Sequence, residues 1–137
     1  MTIFNALRAA LEGEIANVSG IPSSANRAWE NVKFNPTPGT TWVRMTLLPG
    51  EQRPATAGLT PQVLYSGLFQ VDVFAPEGDG AADADALADA IRSSYSPGDS
   101  FTSGSTVARI NWSERAQGQA DHPWYRVSVT ISWYTYA

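Results

Sequence analysis

The stretch that decides the fold reads YSGLFQVDVF (residues 65–74), then APEGDG (75–80), then AADADALADAIRSSY (81–95). Its first part alternates between two sets of side chains, one of them mainly apolar, with the period of two of a half-buried β-strand. After the glycine-containing turn, apolar residues recur every three or four positions, which predicts an amphipathic helix. The residues of this helical stripe are Ala84, Leu87, Ala88, Ile91 and Tyr95. The chain is therefore organised around a strand, a short turn and a helix that packs on the strand.

The composition predicts a single folded domain over residues 1–137. Apolar residues make up 43% of the chain and charged residues only 16%, which is typical of a sequence that builds a core. The net charge is −4, and the scattered arginines with the single lysine, Lys33, form no basic stripe, so specific binding of duplex DNA is not expected. The absence of cysteine excludes disulfides and thiolate metal sites, and fits synthesis in a reducing cytosol.

No targeting or membrane segment is predicted. The N-terminus lacks a positively charged leader followed by an apolar run, and no window approaches the length of about 20 apolar residues that spans a bilayer. We therefore expect a soluble, unexported protein without a membrane partner.

Periodicity outside the central unit predicts a second helix and further strands. Residues 2–18 form an amphipathic pattern, with Thr2 as the N-cap and Gly20 beyond the end. Strand patterns occupy residues 41–48, 106–112 and 124–136, and a short strand or irregular edge is predicted at 29–34. Each helix has one apolar stripe and each strand one apolar face. We therefore predict an α+β fold, a mainly antiparallel sheet of four to five strands with two helices packed on one face.

The segment from Pro49 to Leu64 shows neither a strand nor a helix period. It contains three prolines and two glycines, which predicts a loop. Loops of this length are uncommon inside compact domains and are usually functional or mobile. Two interpretations remain open at this point: a flexible connection between two antiparallel strands, or an arm that becomes ordered against a neighbouring subunit.

The sheet face away from the helices is expected to lack cover within the chain. It would present aromatic, aliphatic and arginine side chains among polar ones, a mixture typical of an interaction surface. The candidate interface residues are Trp42, Arg44, Leu48, Leu68, Phe74 and Tyr134, together with Arg53 from the 49–64 segment.

Catalysis is not predicted. His122 is the single histidine and lies in a polar loop, and the sequence contains no GxSxG elbow, GxGxxG loop or GxxxxGK[ST] loop. Asp79, Asp83 and Asp85 could suggest a calcium site, but calcium loops need a non-helical backbone. Here the apolar register requires a helix, whose start favours negative charge. We predict no catalytic residue, no metal site and no cofactor.

The order and spacing of four segments resemble a known family. These segments are IFNALRAALEGEI (3–15), AWENVKFNPTPGTTWVRMTLLPGE (28–51), GLFQVDVFAPEGDG (67–80) and WYRVSVTISW (124–133). Together they resemble the small tail-completion proteins of long-tailed bacteriophages and prophages, minor tail proteins of the tail-terminator type. The resemblance runs over nearly the whole chain, although no single segment is diagnostic.

This resemblance implies a structural role in the virion. Terminator proteins assemble as a ring, commonly a hexamer, on the end of the tail tube, where they stop tube polymerisation and present a surface to head-completion proteins. Genomic DNA then passes through a central channel without specific binding. The resemblance places the protein in the phage tail after synthesis in the host bacterial cytoplasm.

Three other functions stay open at this point. The protein could be a head-proximal neck or joining protein, or a non-catalytic module that binds glycan or peptide through exposed aromatic residues. A hydrolase would have to use His122.

Overall fold

A computed structural model describes residues 2–58 and 61–137 of the protein. The elements are α1 (Ile3–Gly13), β1 (Arg27–Ala28), β2 (Trp42–Pro54), β3 (Val63–Pro76), α2 (Ala82–Ser94), β4 (Ser100–Ser103), β5 (Thr106–Arg115), β6 (Gln119–Asp121) and β7 (Trp124–Tyr136). Within these residues the strands form one seven-stranded sheet in the order β1-β2-β3-β7-β5-β4, and β6 pairs with β7. Among the described residues, neither helix is long and apolar enough to cross a membrane.

The α+β class is confirmed, but the described sheet is larger than predicted. Strands β1, β4 and β6 have two to four residues each, too few to produce a recognisable alternation. The strand predicted at 29–34 is wrong, because the ordered pairing is confined to Arg27 and Ala28, which lie parallel to β2. The remaining neighbours in the sheet are antiparallel.

Both helices cover the same face of the sheet, as predicted. The core contains Leu7, Leu11, Leu87 and Ile91 from the helices, and Val43, Met45, Leu47, Phe69, Val71, Val73, Val127, Val129, Ile131 and Trp133 from the sheet. Burial of each large apolar side chain contributes about 1.5–3 kcal/mol. Tyr95 joins the two helices, because its hydroxyl donates to the carbonyl oxygen of Leu11 at 2.5 Å. Burial of Tyr95 raises the pKa of its phenol.

Helix α1 is shorter than predicted. Thr2 caps it, since its hydroxyl oxygen accepts from the N–H of Asn5 at 3.3 Å, but the α-helix ends at Gly13. Glycine is a weak helix former, and the chain continues as a tighter 3₁₀ turn over Glu14–Asn17. The predicted apolar register survives this change, because Ile15 and Val18 remain buried.

The first turn of α2 has the predicted charges. Asp83 and Asp85 lie there and Arg92 lies in the last turn, so both ends complement the helix dipole. Asp85 also receives a hydrogen bond from Arg115 of β5 at 2.6 Å. The aspartates therefore belong to a helix and its contact with the sheet, as the register predicted.

The prediction of a loop at Pro49–Leu64 is wrong over half of its length, at residues 49–54 and 63–64. Strand β2 continues to Pro54 and β3 begins at Val63, so the two form an extended hairpin. We call residues 49–66 the distal hairpin; Leu59 and Thr60 lie outside the described residues. The pattern hid the strand for two reasons. A register shift between Pro49 and Gln52 interrupts the alternation. The prolines indicated a loop, but a sheet edge tolerates proline because no hydrogen bond to a further strand is lost there.

Gly67 allows β2, β3 and β7 to approach closely. A Cβ at this position would overlap the carbonyl oxygen of Leu48 and lie 2.7 Å from the ring of Trp133. A backbone carbonyl in a sheet cannot move away cheaply. The ring of Trp133 is itself fully buried in the core. Glycine is therefore required at position 67 for packing.

We predict that Gly67→Ala lowers the free energy of unfolding by about 2–3 kcal/mol, the cost of overpacking a well-filled site. Urea titration followed by tryptophan fluorescence measures the change. Gly13→Ala is the matched control, because nothing lies within 4 Å of a Cβ there. In a helical position this control should be neutral or stabilising by up to about 1 kcal/mol. Equal effects of the two substitutions would contradict the packing of Gly67.

Candidate interaction surface

One end of the second sheet face is covered by the chain itself, contrary to expectation. Trp42 and Phe74 stack with ring centroids 4.0 Å apart, and Trp124 meets Trp42 edge-on at 6.0 Å. Phe34 covers Trp42 at 5.0 Å. Together with Ala28, these side chains form a second, smaller apolar cluster. The expectation that Trp42 and Phe74 are exposed is therefore wrong, because the alternation of a strand does not reveal a covering loop.

A buried carboxylate lies beside this second cluster. Asp72 is only 1% exposed, although it belongs to the sheet face without helices. Arg44 donates to Asp72 Oδ2 at 2.9 Å, while Gln70 and Ser128 donate to Oδ1 at 2.9 and 2.5 Å. The guanidinium of Arg44 also lies 5.1 Å from the ring centroid of Phe74. Arg44 is thus held within the sheet surface by a network that satisfies the buried charge.

The rest of this face is open. Directly opposite residues on neighbouring strands share a face, and the register produces three adjacent rows. The rows are Leu48–Leu68–Ser132–Trp112, Ser66–Tyr134–Arg109 and Arg53–Leu64–Tyr136. We define the open-face patch as the apolar, aromatic and arginine members of these rows: Leu48, Arg53, Leu64, Leu68, Arg109, Trp112, Tyr134 and Tyr136. A groove of about 550 Å³ lies within it.

The patch exposes several large apolar side chains. Leu48 is 40% exposed, Trp112 42% and Tyr136 48%. Tyr134 and Tyr136 meet edge-to-face with ring centroids 5.9 Å apart. Tyrosine, tryptophan and arginine are the residues enriched at protein interfaces and their energetic centres.

A β-bulge places Trp112 in the patch. Simple alternation along the strand pattern at 106–112 predicts that Trp112 shares a face with Ile110, but the register shifts between these two residues. Ile110 remains opposite Trp133 in the core, whereas Trp112 lies opposite Ser132 on the open face. Bulges often re-aim a side chain in this way. The prediction for Trp112 was wrong because no sequence pattern in this strand indicates the bulge.

The seven predicted interface residues therefore separate into three groups. Leu48, Arg53, Leu68 and Tyr134 lie together in the open-face patch. Arg44 lies beside it and is bound to Asp72. Trp42 and Phe74 are buried in the second apolar cluster. A role in binding stays a prediction for the exposed residues.

The outer edge of β2 is closed by a side chain where β1 ends. Glu30 Oε1 accepts from the N–H of Leu47 and from Arg8 Nη1, both at 2.5 Å. Arg8 also lies 3.8 Å from Glu12 Oε2. A charge at an edge strand discourages pairing with another chain. Glu30 therefore protects the edge of β2 at Leu47 against pairing with another chain.

Burial and hydrogen bonding shift the pKa values of Glu30 and Glu12 in opposite directions. Burial acts to raise the pKa of Glu30, but the Leu47 N–H and Arg8 outweigh it and lower that pKa. Burial raises the pKa of Glu12, against the attraction of Arg8. The sign of each contribution to stability follows. Glu30 stabilises the fold above its unfolded pKa and loses this effect as the pH falls through its lowered folded pKa. Glu12 stabilises the fold below its unfolded pKa and loses this effect as the pH rises through its raised folded pKa.

His122 lies in an exposed turn between β6 and β7. Its Nδ1 is 3.0 Å from Glu77 Oε1 and its side chain is well solvated. Across the described residues, no group of three histidine, aspartate or glutamate side chains is arranged to hold a metal ion. Sequence analysis placed His122 correctly in a solvated loop.

The fold is that of a small α+β protein with an open, aromatic-bearing sheet face. The family profile described as "phage tail terminator protein" matches residues 2–133. The chain therefore belongs to the phage tail terminator family and is a structural protein of the phage tail. This confirms the family resemblance and the localisation inferred from the sequence.

Two solved structures share the fold. One, labelled only by a sequence identifier, superposes with a TM-score of 0.76 at 23% identity, covering 98% of this chain and 95% of that chain. The other is a chain from the virion of a native gene transfer agent particle, with a TM-score of 0.61 at 16% identity, covering 99% and 98%. A search of curated proteins finds no match.

We predict that Glu30→Gln lowers the free energy of unfolding by about 1 kcal/mol at pH 7, a modest value because the side chain is partly solvated. The difference from the wild type should shrink as the pH falls through the lowered folded pKa of Glu30, because protonation removes the charge that the wild type has and the variant lacks. Urea titrations at pH 7 and pH 3.5 measure it.

Glu12→Gln serves as the opposite-sign control, since removing its charge should leave the stability at pH 7 unchanged or higher. A Glu30→Gln penalty that is equal at both pH values would show that the charge of Glu30 does not stabilise the edge.

Proposed function

We propose that this protein forms a ring, a hexamer, on the end of the phage tail tube, stops tube polymerisation and provides the joint to the head. The observation that carries the proposal is the open-face patch, an apolar and arginine-bearing surface that the chain leaves uncovered. Surfaces of this kind mark protein–protein contacts. Membership in the terminator family supplies the context in which such contacts form.

The partners follow from this position. They are other copies of the chain within the ring, the tail tube protein below it and head-completion or neck proteins above it. Genomic DNA only passes through the channel, and the net charge of −4 favours passage without adhesion. The similar chain in a gene transfer agent virion supports a place in a particle assembled from several proteins. The whole chain acts as one domain and needs no cofactor in this role.

The distal hairpin extends beyond the core of the subunit. All seven residues from Leu48 to Pro54 are exposed, so no other part of the described chain covers this end of β2. The hairpin is nevertheless ordered by pairing, because β3 and β7 continue their ladder to Leu64 and Tyr136. A paired, exposed extension is suited to contact with a neighbouring subunit or with the tube. This use corresponds to the arm interpretation of the 49–64 segment.

Loss of the gene in a phage distinguishes termination from joining. Electron microscopy of particles lacking this protein should show overlong tails if it is a terminator. Tailless heads beside tails of normal length would instead identify a neck or joining protein. Tails of normal length attached to heads would overturn both functions.

We predict that the double substitution Trp112→Ala with Tyr136→Ala abolishes capping of tail tubes. Each large exposed aromatic at an interface centre contributes enough that its loss weakens binding by about tenfold or more. Because both side chains are exposed, the free energy of unfolding should change by no more than about 0.5 kcal/mol. Co-sedimentation with purified tubes and negative-stain microscopy measure the binding.

Val32→Ala is the matched control for this experiment. Val32 is 58% exposed and apolar but lies in the segment that follows β1, outside the open-face patch. It should retain full capping. Capping that survives the double substitution in a folded protein would exclude the patch as the assembly surface.

A further inference from the structure

The open-face patch carries positive charge that its own chain does not neutralise. In the described part of the chain, Arg53 and Arg109 form no salt bridge, and they are the charged side chains of the three rows. Their neighbours are bulky: two tyrosines, one tryptophan and three leucines. A partner for this surface must therefore offer small side chains for the rings and carboxylates for the guanidinium groups.

The opposite side of the subunit offers that combination. Helix α2 packs on the other face of the sheet and exposes a stripe of small and acidic residues. We call this stripe the α2 outer face; it consists of Ala82, Asp83, Ala86, Asp89 and Ser93. Asp83 and Asp89 form no salt bridge among the described residues. Arg92 follows Asp89 by three residues and lies next to it on the helix surface, but among the described residues no salt bridge joins the two.

The α2 outer face is also concave beside the helix. A groove of about 590 Å³ is lined by Asp83, Ala86 and Ala90 from α2, and by the segment around Gly20 and Pro22. Alanine side chains let an aromatic ring approach the helix backbone closely. The helix thus offers small side chains and the carboxylates of Asp83 and Asp89 to a surface that presents bulky side chains and arginines.

We propose that the open-face patch of one copy binds the α2 outer face of the next copy, with Arg53 and Arg109 directed at Asp83 and Asp89. The inference rests on the proposed ring and specifies its subunit contact. The two surfaces differ and lie on opposite sides of the sheet, so the contact is head-to-tail. Head-to-tail contacts generate closed rings when the rotation between copies closes. Each subunit then uses both surfaces at once.

Charge reversal tests this contact directly. The patch variant carries Arg53→Glu and Arg109→Glu, and the helix variant carries Asp83→Arg and Asp89→Arg. In each variant alone both surfaces have the same sign, so self-association should weaken about tenfold or more, because like charges oppose each other at every contact. Analytical ultracentrifugation measures association in solution. Negative-stain microscopy measures ring formation on purified tail tubes, and circular dichroism verifies that each variant folds.

Mixing the two variants should restore assembly. The acidic patch of one variant meets the basic helix of the other, and the reverse holds at the next contact, so every contact in an alternating ring is complementary. Strict alternation closes only in a ring with an even number of subunits. The quadruple variant, which combines all four substitutions in one chain and has the wild-type net charge, should also assemble by itself. Lys33→Glu, a charge change outside both surfaces, should leave association unchanged.

The outcomes separate this contact from the proposed ring. Wild-type protein that associates neither in solution nor on tubes would overturn the ring itself. Wild-type rings that persist in both variants would leave the ring intact and overturn this contact. A patch variant that still forms rings but no longer binds tubes would assign the patch to the tube protein. If each variant alone associates weakly, and neither the mixture nor the quadruple variant restores association, the two surfaces do not meet.

Discussion

The length of the strands relative to the helices is the constraint on which the rest of the structure depends. Strands β2, β3 and β7 have 13 or 14 residues and extend about 43 Å or more, whereas α2, the longer helix, extends about 20 Å. Two such helices cover one face of the sheet near its centre. They leave the distal hairpin and the whole opposite face without a helical cover. The uncovered surface of this protein is therefore a consequence of its proportions.

Two different arrangements of side chains cover part of the face without helices. At one end, Phe34 returns over β2 and buries Trp42 and Phe74 in a small apolar cluster. Beside this cluster, Asp72 is buried but fully hydrogen-bonded, so that a charge is retained where a helix would have supplied apolar cover. Toward the distal hairpin this face has neither an apolar cover from a loop nor a buried, hydrogen-bonded carboxylate. The aromatic side chains there remain exposed, which concentrates the available apolar surface in one place.

Sequence analysis succeeded where burial of one face dictates the pattern. The alternation in β7 and the stripe on α2 were predicted correctly, because each position there is either buried or solvated. It failed where a register shift changes the face of a side chain. The shifts at Pro49–Gln52 and Ile110–Trp112 arise from strand pairing, which local periodicity does not encode. Sequence analysis named four of the eight side chains of the open-face patch, Leu48, Arg53, Leu68 and Tyr134, and did not name Leu64, Arg109, Trp112 and Tyr136.

The composition of the open-face patch suits a surface that must be stable both free and bound. Ser66 and Ser132 lie between its apolar side chains, and two arginines are interspersed, so polar groups interrupt the apolar surface. A single contact of this kind is modest in strength. In a closed ring every subunit makes two contacts, and the last one forms within an assembly already held together. Ring closure, or a tube end that holds several subunits near each other, then makes assembly cooperative without a strongly apolar interface.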